Sequence, residues 1–442
     1  MHTRTLASAA LAQHAMVSQH PSERTLGSKE ERKVVEISKR AAGVKPSPTL
    51  TLDREVKSLT AAGHDIVNFG IGEPDFDTPD FVIEQAISAL HGGATKYTAT
   101  EGTPGLRLAI RTYLERQVGL SYGPDEVMAT VGAKHALANA LLALVNPGDG
   151  VLVPAPYWVS YPEQIRFAGG TPVFVATSAE RGYRFAVQDL ERAYTGRVRG
   201  LILNSPNNPT GAIIDPETQE AVARFAMDRD LWVISDEIYH RLVYGPQATS
   251  IARVAGMRDR TVVINGVSKS YAMTGWRIGF AAGPAPVIQA MIRIQGQVTS
   301  NPATIAQAAA EAALQSQEGV VEAMRARFQA RRTVMLQGLA RFPHLQTVPP
   351  DGAFYVFVGT AGLRGQVWQG KSLAHGAVLA HVLLNECGVA VVPGAGFGEP
   401  EAIRLSFAQG EDRIREGLKR MGQILSSTAT PVDEPGMVAE SS

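Results

Sequence analysis

Between about residues 127 and 283 short apolar runs alternate with longer amphipathic stretches. The runs VMATV (127–131), VLVP (151–154), PVFV (172–175), GLILN (200–204), LWVIS (231–235), TVVIN (261–265) and RIGFAAG (277–283) are candidate strands. Their β-branched, nearly continuous apolar character predicts strands covered by helices on both faces. Segments such as 135–145 and 216–229 supply the helices between them. This alternation predicts an α/β fold with a mostly parallel seven-stranded sheet between helices. Binding loops in such sheets gather where strands end and helix N-termini begin.

A second α/β stretch runs over 328–425, with strands near GAFYVFV (352–358), VAVVPG (389–394) and AIRLSFA (402–408). It is too short for a complete doubly wound domain. The expected organisation is a large domain over 76–327 and a smaller α/β domain built from 34–75 and 328–425, which a 442-residue chain can supply with two cores. Residues 1–33 are rich in Ala, Ser, His and Arg, with no acidic residue before Glu23. They read as an unstructured extension, although an organelle transit peptide has a similar composition. The stretch 426–442 reads as a disordered tail.

Composition narrows the function. Lys+Arg and Asp+Glu are both 42, so no charge excess favours nucleic acid or an anionic membrane. No apolar run approaches the roughly 18–20 residues needed to span a bilayer. The single cysteine, Cys387, excludes an internal disulfide and is compatible with a reducing, cytoplasmic setting.

The chemistry lies at the strand ends. NGVSKSYAMTGWRIG (265–279) places Lys269 just after a buried strand, beside Ser268 and eight residues before Arg277. A lysine shielded from water is suited to imine formation, and the hydroxyl and guanidinium are natural phosphate ligands. Alone, Ser-Lys is weak evidence, because an isolated lysine is usually just a solvated charge. LWVIS delivers Asp236 and then Tyr239, a carboxylate able to keep a pyridine nitrogen protonated and a hydroxyl for a phenolic oxygen. GLILN runs into SPNNPTG (205–211), where Asn208 is a second donor; by itself this run is a plain turn. Gly132, Ala133 and Lys134 open a helix whose free N–H groups face an anion, and Trp158 in PYWVSYPE (156–163) can stack on an aromatic ring or fill the core.

Together IGEPDFDTP (71–79), TKYTATEGTPGLR (95–107), PYWVSYPE, NSPNNPTGA, SDEIY, SKSYAMTGWRIG and IRLSFA (403–408) resemble fold-type I aminotransferases, in the family's order over about 34–425. They are most similar to the bacterial-type aspartate branch that includes aspartate/glutamate–prephenate aminotransferases. The resemblance implies a pyridoxal 5′-phosphate enzyme with Lys269 as Schiff-base lysine and proton carrier. It pairs Asp236 with the pyridinium nitrogen, Asn208 and Tyr239 with the phenolic oxygen, and Trp158 with the ring face. Gly132, Ala133, Lys134, Ser268 and Arg277 fall in the phosphate region. Tyr97 would reach the phosphate of a neighbouring subunit, implying a homodimer with shared active sites. Arg404 and the backbone of Gly72 would hold the substrate α-carboxylate.

By this resemblance the enzyme moves an amino group between an amino acid, aspartate or glutamate, and a 2-oxo acid with ping-pong kinetics. Where animal-type relatives place a distal-carboxylate arginine, four residues before Ser-Asn-Pro, this chain has Gly296 in GQVTSNP (296–302). That work passes to Lys134, with Lys45 in VKPSPT (44–49) as a second cation or simply a surface lysine. His135 stands where the branch commonly has Gln. Elimination, replacement or ring formation on an amino acid or S-adenosylmethionine-like substrate would use the same cofactor residues. A cofactor-sensing regulator would need a DNA-binding module, and no basic helix-turn-helix pattern precedes Lys45.

Overall fold

The computed structural model describes residues 35–316 and 319–426. The expected extension 1–33 and the tail beyond 426 lie outside the described residues. The chain divides into two units, Met1–Gly43 and Val44–Ser442. In the first, Ser38 caps the single-turn helix Lys39–Ala42 by accepting the Ala41 N–H.

The second unit holds a seven-stranded sheet of β1 (Val127–Val131), β2 (Gly150–Pro154), β3 (Thr171–Val175), β4 (Val198–Asn204), β5 (Trp232–Asp236), β6 (Thr261–Gly266) and β7 (Ile278–Ala282). Their spatial order is β1-β7-β6-β5-β4-β2-β3. Only β7 runs antiparallel to its neighbours. All seven runs read from the apolar pattern are strands of this sheet. No residue of β6 or β7 is exposed, as the unbroken apolar runs require. At the edge, β3 carries Pro172 and exposes Thr171 and Phe174.

Direction explains how the site is assembled. Strands β4, β5 and β6 are parallel, so Asn204, Asp236 and the chain leading to Lys269 emerge at one rim. There Asn204 is opposite Asp236 in register. Because β7 is reversed, it begins at that rim, and its Ile278 pairs with Val131 at the end of β1. The reversal therefore sets Arg277 beside Gly132, at the start of helix α2 (Ala133–Leu144).

A four-stranded antiparallel sheet comprises β8 (Gln346–Thr347), β9 (Tyr355–Gly359), β10 (Val392–Pro393) and β11 (Ala402–Ser406), in the order β10-β11-β9-β8. Arg404 is central, opposite Phe357 on one side and Val392 on the other. The run read as one strand over 389–394 is divided. Val389–Ala390 pairs in parallel with Val67–Asn68, and β10 pairs with β11, so the chain changes sheets at Val391. The Ser406 N–H donates to the Phe69 carbonyl at 2.8 Å, which brings Gly70 and Gly72 alongside β11. Strand β9 starts at Tyr355 because Ala353 is left-handed, with φ 57°. Among the described residues no helix is long and apolar enough to cross a membrane.

Candidate active site

A cavity of about 400 Å³ opens at the shared rim. Lys269 stands three residues beyond β6 on its wall and donates to the Gly72 carbonyl at 2.5 Å. Burial pushes its ammonium down to about 8; Glu73 opposes the shift, while Arg404, Arg277 and Lys134 add to it. The amine is consequently available as a nucleophile or base at far lower pH than a surface lysine.

Asp236 closes β5 and is 6% exposed. Tyr161 donates to its Oδ2 at 2.8 Å, and the Ile238 N–H to its Oδ1 at 3.2 Å. Burial raises its carboxyl to about 6; Glu237 adds to the rise, and these two bonds and Lys269 hold it back. A cationic ring nitrogen would be a charge partner that restores the carboxylate.

Asn208 follows the turn after β4, and its N–H is held by Asn204 Oδ1 at 2.8 Å. Arg404, 2% exposed, donates through Nη1 to Asn208 Oδ1 and through Nη2 to the Gly70 carbonyl, both at 3.0 Å. Arginine is donor-only, so Asn208 must turn its amide oxygen to Arg404, which leaves its NH₂ free to donate elsewhere. Tyr239 and Tyr355 hydroxyls are 3.0 Å apart.

At the head of α2, Gly132 has φ 79°, and a Cβ there would lie 2.5 Å from Arg277 Nη2. Only glycine admits the guanidinium so close. Gly279 is constrained too, since its Cβ would fall 2.2 Å from the Ala133 nitrogen. Arg277 is itself left-handed, with φ 57°, and its Nη1 donates to the Thr274 carbonyl at 2.8 Å. Ser268, Ala133, Thr274 and Arg277 share the cavity wall, which makes that end an anion cradle.

Residues 64–420 match the family described as aminotransferase class I and II. The chain belongs to that family. It is 42% identical to an aspartate aminotransferase of Geobacillus stearothermophilus, over 89% of this chain and all of the relative. It is 44% identical to an aspartate/prephenate aminotransferase of Thermus thermophilus, covering 88% of this chain and 98% of the relative. Among solved structures it is similar to the Thermus thermophilus aspartate aminotransferase with maleate, at TM-score 0.84 and 43% identity over 88% of this chain and all of the other. The chain is thus a fold-type I, pyridoxal 5′-phosphate-dependent transaminase; elimination and ring-forming chemistry are not favoured.

The residues present fit that cofactor. They offer a depressed lysine, a buried carboxyl, two hydrogen-bond donors and an anion cradle around one cavity. Arg404 Nε is buried without a hydrogen-bond partner, so this guanidinium has donor capacity in reserve.

The cavity brings together Gly72, Ala133, Lys134, Trp158, Asn208, Asp236, Tyr239, Ser268, Lys269, Arg277 and Arg404. Gly132 supports it from behind through Arg277. Lys134 Nζ lies 4.8 Å from the Trp158 ring centroid, and burial lowers its pKa, with Arg277 contributing. Lys45 and Tyr97 are not on the wall. Lys45 is exposed, with its N–H donating to Glu163 at 3.2 Å, and Tyr97 is 89% exposed. Gly296 sits in helix Ala285–Val298, outside the lining. His135 accepts the Val131 N–H at Nδ1, and burial lowers its pKa.

Tyr161, Tyr355, Asp53 and Lys57 are among the contributors that went unread in the sequence. Tyr161 shares PYWVSYPE with Trp158, one helical turn on, and Tyr355 stands in the strand pattern as an ordinary core aromatic. Asp53 and Lys57, an i,i+4 ion pair at 2.8 Å on helix α1 (Pro48–Ala61), also line the cavity.

Glu237, beside Asp236, is 2% exposed and accepts from Ser235 at 2.7 Å, with Oε2 unpaired. Burial raises its carboxyl from 4.5 to about 7, against the pull of the neighbouring Ser250 and Ser235 hydroxyls. The folded state therefore keeps a proton that the unfolded chain releases. This contribution to stability is full below pH 4.5 and is lost as pH rises through 7. Relative to Glu237→Gln, wild type should lose about 3 kcal/mol across that interval. Urea unfolding of both proteins at pH 5 and 7.5 checks this; parallel pH dependences would mean the carboxyl is ionised throughout.

Proposed function

We propose that this transaminase takes a dicarboxylic amino acid, aspartate or glutamate, as donor. The observation that carries the reading is that two cations, Arg404 and Lys134, line one cavity with Lys269. Both relatives' names include aspartate, and maleate, present in the Thermus structure, is itself a dicarboxylate. Arg404 would hold the α-carboxylate and Lys134 the distal one, with Lys45 a further cation for longer 2-oxo acids.

Lys269 would carry the cofactor covalently. Asp236 would face the ring nitrogen, Asn208 and Tyr239 would donate to the phenolic oxygen, and Trp158 would cover a ring face. Gly132, Ala133, Ser268 and Arg277 would hold the phosphate, with Lys134 at its edge. Bound there, pyridoxal phosphate supplies an aldehyde for condensation and a protonated ring that delocalises carbanion charge. With its amine free, Lys269 would be the base that takes the substrate Cα proton and carries it along the same face; its depressed pKa keeps the base form available near neutrality. Arg404 and the Gly72 backbone fix the α-carboxylate so that the Cα–H bond faces that amine.

Lys134→Ala is expected to lower kcat/KM for aspartate about 30- to 100-fold, the size of a charge-assisted bond, and to lower alanine turnover far less. A panel of amino donors and 2-oxo acceptors tests this, and equal losses on both donors would sink the distal-clamp role.

The exposure of Tyr97, with Val298 at 64% and Leu108 at 58%, supports a homodimer in which Tyr97 completes the partner's phosphate site. Sedimentation should give twice the 47.2 kDa chain mass; a monomer that is fully active would contradict it. The pairing of Val67–Asn68 with Val389–Ala390 supports a small domain made of 34–75 and 328–425, distinct from 76–327. A lone cysteine supports a cytoplasmic setting.

A further inference from the structure

Tyr355 stands where two halves of the site meet. It belongs to β9, is 1% exposed, and lines the cavity. Its hydroxyl is 3.0 Å from that of Tyr239, and the Arg404 guanidinium carbon is 4.2 Å from its ring centroid. The same guanidinium fixes Asn208 through its amide oxygen. Each donor aimed at the cofactor's phenolic oxygen is thus touched from behind by a member of the Tyr355–Arg404 stack.

The direction of the Tyr239–Tyr355 bond matters. A phenol has one proton, and it rotates close to the ring plane. If Tyr239 spends its proton on Tyr355, it has none for the cavity. Arg404 acts on both phenols, with Asp236 also facing Tyr239 and Glu73 facing Tyr355. Burial raises both hydroxyls. Contact with Tyr355 raises Tyr239 further, whereas Arg404 and Tyr239 both pull Tyr355 down. Tyr355 is therefore the more acidic partner and the better donor.

We propose that Tyr355 is a positioning residue: its hydroxyl donates to Tyr239 and so aims the Tyr239 proton at the phenolic oxygen, while its ring holds the Arg404 guanidinium, given that the cavity takes pyridoxal phosphate as above. The carboxylate clamp and the phenolic-oxygen donors then form one connected unit. A substrate carboxylate arriving at Arg404 is felt at Asn208 and Tyr239 without touching either.

The test uses purified holoenzyme and the pH midpoint of its visible absorption, alongside turnover. Donors to the phenolic oxygen matter most when the neighbouring nitrogen has lost its proton and leaves the oxygen fully charged. Weakening them should raise the midpoint. Tyr355→Phe is expected to raise it by about half a unit, the scale of one hydrogen bond. Tyr239→Phe should raise it more, and adding Tyr355→Phe to that variant should change nothing further. Maleate affinity should stay within about twofold in Tyr355→Phe, which keeps the ring, and weaken about tenfold in Tyr355→Leu, which loses it. No shift in Tyr355→Phe, an equal shift in the Tyr239→Phe background, or wild-type maleate affinity in a folded Tyr355→Leu each overturns the assignment. Should Tyr355→Leu fail to fold, the Tyr355→Phe cycle decides alone. A wild-type protein with no visible band at any pH would instead sink the cofactor reading itself.

Discussion

Lys269→Ala is expected to lose transaminase turnover by about 10⁴-fold or more, because one substitution would remove both the proposed covalent anchor and the proposed base. The other two lysines of the wall are held elsewhere: Lys134 lies against Trp158 and Lys57 is paired with Asp53. The variant should also lose the visible band of covalently attached cofactor, and borohydride reduction followed by mass spectrometry should find no adduct. An adduct on another residue would place the attachment elsewhere. A small added amine should restore part of the proton transfer, which separates the loss of the base from collapse of the site. Since Lys269 is held to Gly72 by a single bond, removing it frees the loop but leaves the core strands untouched.

Arg404→Lys is expected to lower kcat/KM for aspartate about 10³-fold, although it keeps the charge. Lysine offers a point charge where the planar fork now serves Asn208, Gly70 and, in reserve, a carboxylate. Asn208 would then lose the donor that fixes its amide, so damage should extend to the phenolic-oxygen end. Steady-state kinetics with aspartate, set beside an amine that lacks the α-carboxylate, check this. Comparable losses on both amines would show that Arg404 supports the site's structure and is not a carboxylate clamp.

The large sheet was legible because continuous apolar runs have one good solution, a strand covered on both faces. The small sheet was less so. The run at 389–394 looks uniform, yet it serves two sheets, and only the pairing of residues more than 300 positions apart reveals the break. Similarly, Asp236 and Lys269 were visible as polar residues ending apolar strands. Arg404 was not, since it sits inside a strand opposite Phe357, where pattern alone gives no reason to single it out. Resemblance named it, and the geometry supplied its partners. Tyr161 and Tyr355 escaped notice because a buried tyrosine usually serves packing first, and its hydroxyl partner is a tertiary fact. Lys57 was hidden as one more helix-surface charge.

The parallel ladder between Val67–Asn68 and Val389–Ala390 also bears on how the protein is made. Gly72 and Arg404, which meet at one wall, are separated by about 330 residues of synthesis, or about 20–70 s at ordinary translation rates. The large sheet can assemble in that interval, with Lys269 and Asp236 in place. The wall that carries Gly72 and Arg404 forms only afterwards, when the late strands reach back to the early one. Newly made chains should therefore acquire tight cofactor and substrate binding after translation, so a ribosome stalled before residue 389 would display a folded sheet with a half-built pocket.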